Sequence, residues 1–322
     1  MCLIIVDVGM AFLGLFRSAL LSNYVKLRRD LLSVDGLINS VASKSEGEIN
    51  QSLVNKLSSY KAYVGKVGFK GRFFEATIEA ETAKSHGRIC QMQLPSGKKG
   101  TELGDIMVLV DYILDDFVEH KRKIINGSAS IIQTKKEKFA KQGLNAAQLY
   151  LMTQWPPFQY KGFSGRFDVF PDSFAFYLFV LDPTSPEKEK SSVVSAPMLT
   201  RYLGIDKTRL TNSINGKVKF SNPDLLSKQI VGCSLIPLTV GSYLFRALNL
   251  ALGSPSIEVR RFLREKDFFP LMEEIEDCHL GTQTQKTQMI DDNGKPHDYI
   301  LSDDEDEYVF AVRLKVILKT IG

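Results

Sequence analysis

The chain has 322 residues, enough to bury a large apolar core, and its 44% hydrophobic and 24% charged residues describe an ordinary globular protein. A net charge of +4 is too mild to indicate nucleic acid by itself. Four scattered cysteines without a Cys-x-x-Cys, and four isolated histidines, argue against a zinc site, a disulfide framework or a His-based triad, and suit a reducing cytoplasm.

Met1 to Phe16 is almost wholly apolar, yet it carries Asp7 and lacks a basic start or a cleavage pattern. It is too short and interrupted for a bilayer span. Leu13, Phe16, Leu20, Leu21, Tyr24, Leu27 and Leu31 recur at helical spacing, with Lys26, Arg28 and Arg29 on the other face. Residues 1–44 therefore read as a helical segment packed on the body or on a partner subunit, with no stable membrane insertion and a cytoplasmic location expected.

Ser45 then caps a second helix with acids in its first turn and an apolar stripe of Ile49, Leu53 and Leu57, closed by Gly65 and Gly68. Residues 72–81 alternate Phe74, Ala76, Ile78 and Ala80 against Glu75, Thr77, Glu79 and Glu81, the pattern of a half-exposed strand. Ile89 to Leu94 extends that hairpin, and residues 95–100 form a loop. Residues 105–114 are apolar on both faces, hence central in a sheet. Asn126-Gly127 reads as a turn into a strand from Ser128 to Lys135. A helix marked by Leu144, Ala147, Leu151 and Met152 stops before Pro156, and Phe174 to Leu181 is a buried strand. Trp155-Pro156-Pro157-Phe158 is expected to pack on the sheet. Beyond a linker-like stretch at 182–192, helices are expected near 197–204, 223–231, 240–252 and 256–276, then a hairpin at Asn293-Gly294 and a strand from Tyr308 to Ile317.

The polar ends of two apolar runs carry the chemistry. Asp105 opens one, and Gln133-Thr134-Lys135 closes the next. Strand side chains repeat every two residues, so Gln133 and Lys135 share a face. Side by side, these ends supply oxygens for a divalent cation and an ammonium for a phosphodiester under attack by water. The stretch from His120 to Lys141 is dense in Lys and Arg against one acid, Glu137, and Lys98, Lys99, Lys121, Arg122, Lys123 and Lys136 are the expected phosphate contacts. No P-loop and no Gly-x-Ser-x-Gly motif offers a competing chemistry.

With these residues placed, 45–181 resembles the core of the PD-(D/E)xK nuclease superfamily. Gly104-Asp105 matches its strand acid, and Gln133-Thr134-Lys135, 28 residues later, matches the Gln-x-Lys variant of the Mrr-like restriction endonucleases. The resemblance implies an α/β fold with a restriction-endonuclease-like αβββαβ core and a mixed sheet. It also implies a Mg2+ (or Mn2+) cofactor held by Asp105, Gln133, the Thr134 carbonyl and a helix acid, for which Glu48 is the candidate, Glu46 lying farther from the apolar stripe. Glu75 or Glu79 take that place if 73–83 is helical, and Glu102 adds an outlying or second-metal carboxylate. Lys135 would position the water and stabilise the transition state, with DNA as the substrate and defence against foreign DNA as the setting. Glutamine in place of glutamate removes one charge from the site. A non-catalytic interaction subunit of the same fold is therefore the alternative. Residues 182–322 would be an α+β extension of helices and β-hairpins for target recognition or oligomerisation, in a homodimer or with a partner subunit.

Overall fold

The computed structural model describes residues 13–86, 89–94, 96–116, 121–140, 142–160, 163–167, 169, 171–184, 190–219, 238–249, 253 and 308–321. The helices expected at 223–231 and 256–276, the Asn293-Gly294 hairpin and Met1 to Phe12 lie outside them.

Helix α1 (13–22) and helix α2 (Tyr24–Val41) adjoin at Asn23 and bury Phe16, Leu20, Leu27, Leu31, Val34 and Ile38 along one side, as the spacing predicts. Among the described residues no helix is long and apolar enough to cross a membrane. Helix α3 (Glu46–Ser58) starts on a capping box: Ser45 Oγ accepts the Glu48 N–H, and the Glu48 carboxylate accepts the Ser45 N–H at 2.9 Å. Ser45→Ala is expected to lower stability by about 1 kcal/mol in a urea titration. The two hydrogen bonds from Ser45 depress the Glu48 carboxyl below its ordinary value. Its contribution is thus complete above the usual glutamate range and is lost as pH falls through the lowered folded value, and Glu48→Gln removes that part of the acid sensitivity.

Strands β1 (Lys61–Phe69) and β2 (Arg72–His86) form the next hairpin. Gly65 and Gly68 lie inside β1; α3 has already ended at Ser58. Strands β3 (Ile89–Leu94) and β4 (Gly97–Glu102) do not extend that hairpin. They join β8 (Phe158–Tyr160) and β9 (Phe163–Gly165) in a separate four-stranded sheet. Strand β5 (Ile106–Asp116) pairs antiparallel with β6 (Lys121–Lys136), which runs through Asn126-Gly127 without turning. A two-residue β7 (Leu144–Asn145) precedes helix α5 (Ala146–Gln154); helix α4 (Glu137–Ala140) and helix α6 (Pro171–Phe174) are single turns. Strand β10 (Ala175–Val180) is parallel to β6, and β11 (Ser191–Ser195) antiparallel to β10. Short helices α7 (Ala196–Tyr202) and α8 (Lys207–Asn212), β12 (Lys217–Val218) and helix α9 (Val240–Leu248) follow.

The last strand, β13 (Tyr308–Thr320), joins the centre of the main sheet, whose order is β1-β2-β13-β5-β6-β10-β11. It is antiparallel to β2 along its whole length and parallel to β5. Residues 308–320, which lie beyond the boundary expected at 181/182, thus belong to the same sheet as β5 and β6.

The mixed sheet is covered on both faces, and β5 and β10 are accordingly apolar runs without alternation. Helices α1, α2, α3 and α9 pack on one face over Ile106, Val108, Val110, Ile132, Leu178 and Val312. On the other, α5 and the small sheet cover Met107, Leu109, Ile131, Tyr177 and Phe179. Trp155 ends α5 in a left-handed conformation and is buried among Phe158, Phe167 and Phe174. Farther along this face, away from α5, lies a charge ladder. Arg313 of β13 bridges Asp111 of β5 and Glu81 of β2, and Lys315 contacts Glu81 and Glu79.

Candidate active site

The start of β5 and the end of β6 lie together because the two strands are antiparallel neighbours, Ile106 opposite Ile132. Asp105 is clamped by its backbone: its N–H donates to Ile132 O and its carbonyl accepts from Phe310 N–H, both at 2.9 Å. Gly104 leads into it with φ +151°, and a Cβ there would lie 2.2 Å from Ile131 Cγ2, so only glycine fits.

Asp105 is 1% exposed, and its Oδ2 accepts from Gln133 Nε2 and from Thr134 N–H, each at 2.7 Å. Gln133 Nε2 also lies 3.3 Å from Glu102 Oε2 and 3.5 Å from Thr134 O. Two carboxylate oxygens and one carbonyl oxygen thus converge on a single amide nitrogen. The Gln133 oxygen points elsewhere and accepts from Gln148 Nε2 at 2.5 Å, while Gln148 also donates to Glu102 at 3.1 Å. On the other face of β6, Thr134 Oγ1 donates to Asn50 of α3 at 2.6 Å.

Lys135 lies beside this nest, its ammonium 3.1 Å from Glu46 Oε2; the other Glu46 oxygen accepts from Lys136 N–H at 2.8 Å. Burial alone would lower the Lys135 pKa, but Asp105, Glu46 and Glu102 together outweigh it and hold it above the ordinary value. Lys135 is therefore a permanent cation near neutral pH and no proton acceptor. Tyr177, in register with Gln133 on β10, is fully buried and its hydroxyl has no hydrogen-bond partner. Burial first, then the charges of Glu102 and Asp105, push its pKa up, so the phenol stays neutral.

Of the expected site residues, Asp105, Gln133, Thr134 and Lys135 come together, and Glu102 joins them. Glu48 does not. As the third residue of α3 it folds back on Ser45, whereas Glu46, the first, projects past the helix end toward Lys135. Glu75 is half-exposed on β2, and Glu79 pairs with Lys61 at 2.7 Å. The basic set divides. Lys121, Arg122 and Lys123 begin β6, so Lys123 is about 40 Å along the strand from Lys135. Lys136 is 9% exposed, and its ammonium donates to the carbonyls of Ser43 and Lys44. Lys98 is exposed and Lys99 half-buried on β4, the strand that ends at Glu102. Asn50, Gln148 and Tyr177 escaped sequence reasoning, and Glu46 was set aside for Glu48. Glu46 was findable from its place one residue after the cap, where a side chain points out of the helix end.

Among the described residues, no group of three or more His, Cys, Asp or Glu is arranged to hold a metal ion. The available hard donors are two carboxylates and a carbonyl, a set that suits an ion retaining several waters. No family model, curated protein or solved structure matches this chain.

Proposed function

We propose that this protein is a metal-dependent deoxyribonuclease built on a restriction-endonuclease-like core. The observation that carries the reading is the nest of Asp105, Glu102 and Thr134 oxygens around Gln133 Nε2, with the Lys135 ammonium beside it. What supports this core is the order α3, then β1, β2, β5 and β6 of the main sheet, α5, and β10 parallel to β6; it would be an αβββαβ unit with one strand more, and with β13 inserted between β2 and β5.

Asp105, Glu102 and the Thr134 carbonyl would hold Mg2+ or Mn2+, with the Gln133 amide turning aside or presenting its oxygen. When bound, the ion would lower the pKa of a coordinated water and offset charge on the phosphoryl oxygens. Lys135 supplies a fixed positive charge to the transition state, and Glu46 holds it in place. Gln148 steadies Gln133 and Glu102. Hydrolysis joins a water oxygen to phosphorus and breaks one ester P–O bond, the departing oxygen taking up a proton. Cutting both strands calls for two copies of the site, hence a homodimer or a partner subunit, and foreign DNA in the cytoplasm is the natural substrate for such a core.

One observation favours a second reading, a non-catalytic DNA- or protein-binding subunit. The oxygens are already met by amide donors from Gln133 and Gln148. The deciding experiment incubates wild type and Asp105→Asn with plasmid, linear and single-stranded DNA and with RNA, in Mg2+ or Mn2+. Cleavage by the wild type is expected to fall at least about a thousandfold in the variant, as loss of several kcal/mol of transition-state stabilisation requires. Wild type that binds DNA but never cuts it would establish the second reading, and cleavage confined to RNA would correct the substrate.

A further inference from the structure

We infer that the outer face of α1 and α2, with the adjoining end of α9, is a docking surface for an anionic phospholipid membrane, which the protein would lie upon rather than cross. The inner face of α1–α2 is spent on the core through Phe16, Leu20, Leu27 and Leu31. The outer face exposes Leu21 (65%) and Val25 (78%), one turn apart, with Tyr24 beside them. Tyr24 packs edge-on against Phe245 of α9, at 4.9 Å between ring centres, and the Arg28 guanidinium lies over its ring. Arg17, Lys26, Arg28 and Arg29 are exposed on the same two helices, with the Lys26 ammonium 3.5 Å from the Tyr63 carbonyl of β1, and exposed Arg246 adds a fifth cation from α9. No acid occurs between residues 13 and 29; the next, Asp30, is half-buried.

Charge complementarity selects the occupant. A second copy of this face would bring like charges together. Duplex DNA would meet the cations through its phosphates but would leave two exposed aliphatic side chains without use. A lipid surface satisfies both features at once: headgroup phosphates and carboxylates meet the arginines, and Leu21, Val25 and Tyr24 enter the boundary between headgroups and acyl chains. Five cations fall within the range of clusters that bind acidic lipids when carried on an amphipathic helix. Helix α2 runs some 27 Å from Tyr24 to its end near Lys136, so the Asp105 cluster is displaced sideways from the Leu21–Tyr24–Val25 patch rather than part of it.

The test uses the full chain in flotation with phosphatidylcholine vesicles, with and without phosphatidylserine. Binding to the acidic vesicles is expected to be at least about tenfold tighter than to neutral ones and to weaken in high salt. The Leu21→Ser/Val25→Ser pair keeps every charge and should lose most of this binding, as should Arg28→Glu/Arg29→Glu; all four positions are exposed, and circular dichroism checks the fold. Failure to float with acidic vesicles overturns the proposal. So does a serine pair that floats like wild type while the glutamate pair loses duplex DNA, since the face would then be a nucleic-acid surface. Self-association abolished by the serine pair, without vesicle binding, would assign the face to a second copy instead. None of these outcomes depends on whether the protein cuts DNA.

Discussion

Replacing Arg313 by alanine is expected to cost about 3–5 kcal/mol of stability, the penalty for stripping one partner from a buried ion pair. Arg313 is 1% exposed, and its Nε donates to Asp111 Oδ2 at 2.7 Å; Asp111 is itself fully buried. Nη1 donates to Glu81 at 3.1 Å, while Nη2 is buried without a partner. Alanine would strip the guanidinium from a fully buried carboxylate, whose register partners are Lys315 on β13 and Gly127 on β6. Most globular domains have only 5–15 kcal/mol to lose, so the variant should unfold at far lower urea than wild type. The double change Arg313→Met/Asp111→Leu removes both charges and should recover much of the loss, because the desolvation of the pair disappears with it. An unfolding free energy for Arg313→Ala within about 1 kcal/mol of wild type would mean that water reaches Asp111 and that the ladder is a surface feature.

Gly104→Ala is expected to destabilise the protein by on the order of 3 kcal/mol and to remove any activity that depends on Asp105. The added methyl would lie 2.2 Å from Ile131 Cγ2 and 3.4 Å from Ile132 O, and φ +151° is itself unfavourable for an L side chain. Neither obstacle is the flexible end of a long side chain, so the start of β5 must shift. That shift separates Asp105 from Gln133 Nε2 and Thr134 N–H, whose two bonds of 2.7 Å hold the carboxylate in place. Thermal unfolding and the cleavage assay read the two effects separately. A Gly104→Ala protein with wild-type melting would show that β6 yields at Ile131.

The features of this architecture that could be read from the chain were those decided locally. Strands β5 and β10 announced themselves because burial on both faces leaves no polar residue to alternate, and Ser45 with Glu48 spelled out the start of α3. Asn126-Gly127 misled for a local reason too. The Asn126 side chain does accept the Gly127 N–H, as turn asparagines do, but an irregularity opposite Tyr112/Ile113 absorbs the disturbance and β6 continues. The same capping box that made α3 legible turns Glu48 back onto Ser45, while Glu46 reaches Lys135; an apolar stripe says which side of a helix is buried and nothing about which side chain leaves its end. The position of β13 was out of reach. Val309 to Val316 alternates only partly, and its two neighbours lie more than 200 residues upstream in Glu81 and Asp111. Gln148 was hidden likewise, because its partners Gln133 and Glu102 meet it only after the small sheet folds over α5.

Strand β13 also dictates when this sheet can close. Until residue 320 has emerged from the ribosome, β2 and β5 have no common neighbour, and each presents a bare row of peptide groups. Roughly 200 residues separate the end of β5 from the end of β13, which at ordinary translation speeds amounts to about 10–40 s. Throughout that interval the nascent polypeptide holds a gap one strand wide, flanked by acids awaiting their cations, and must be shielded from any stray segment that would zip into it.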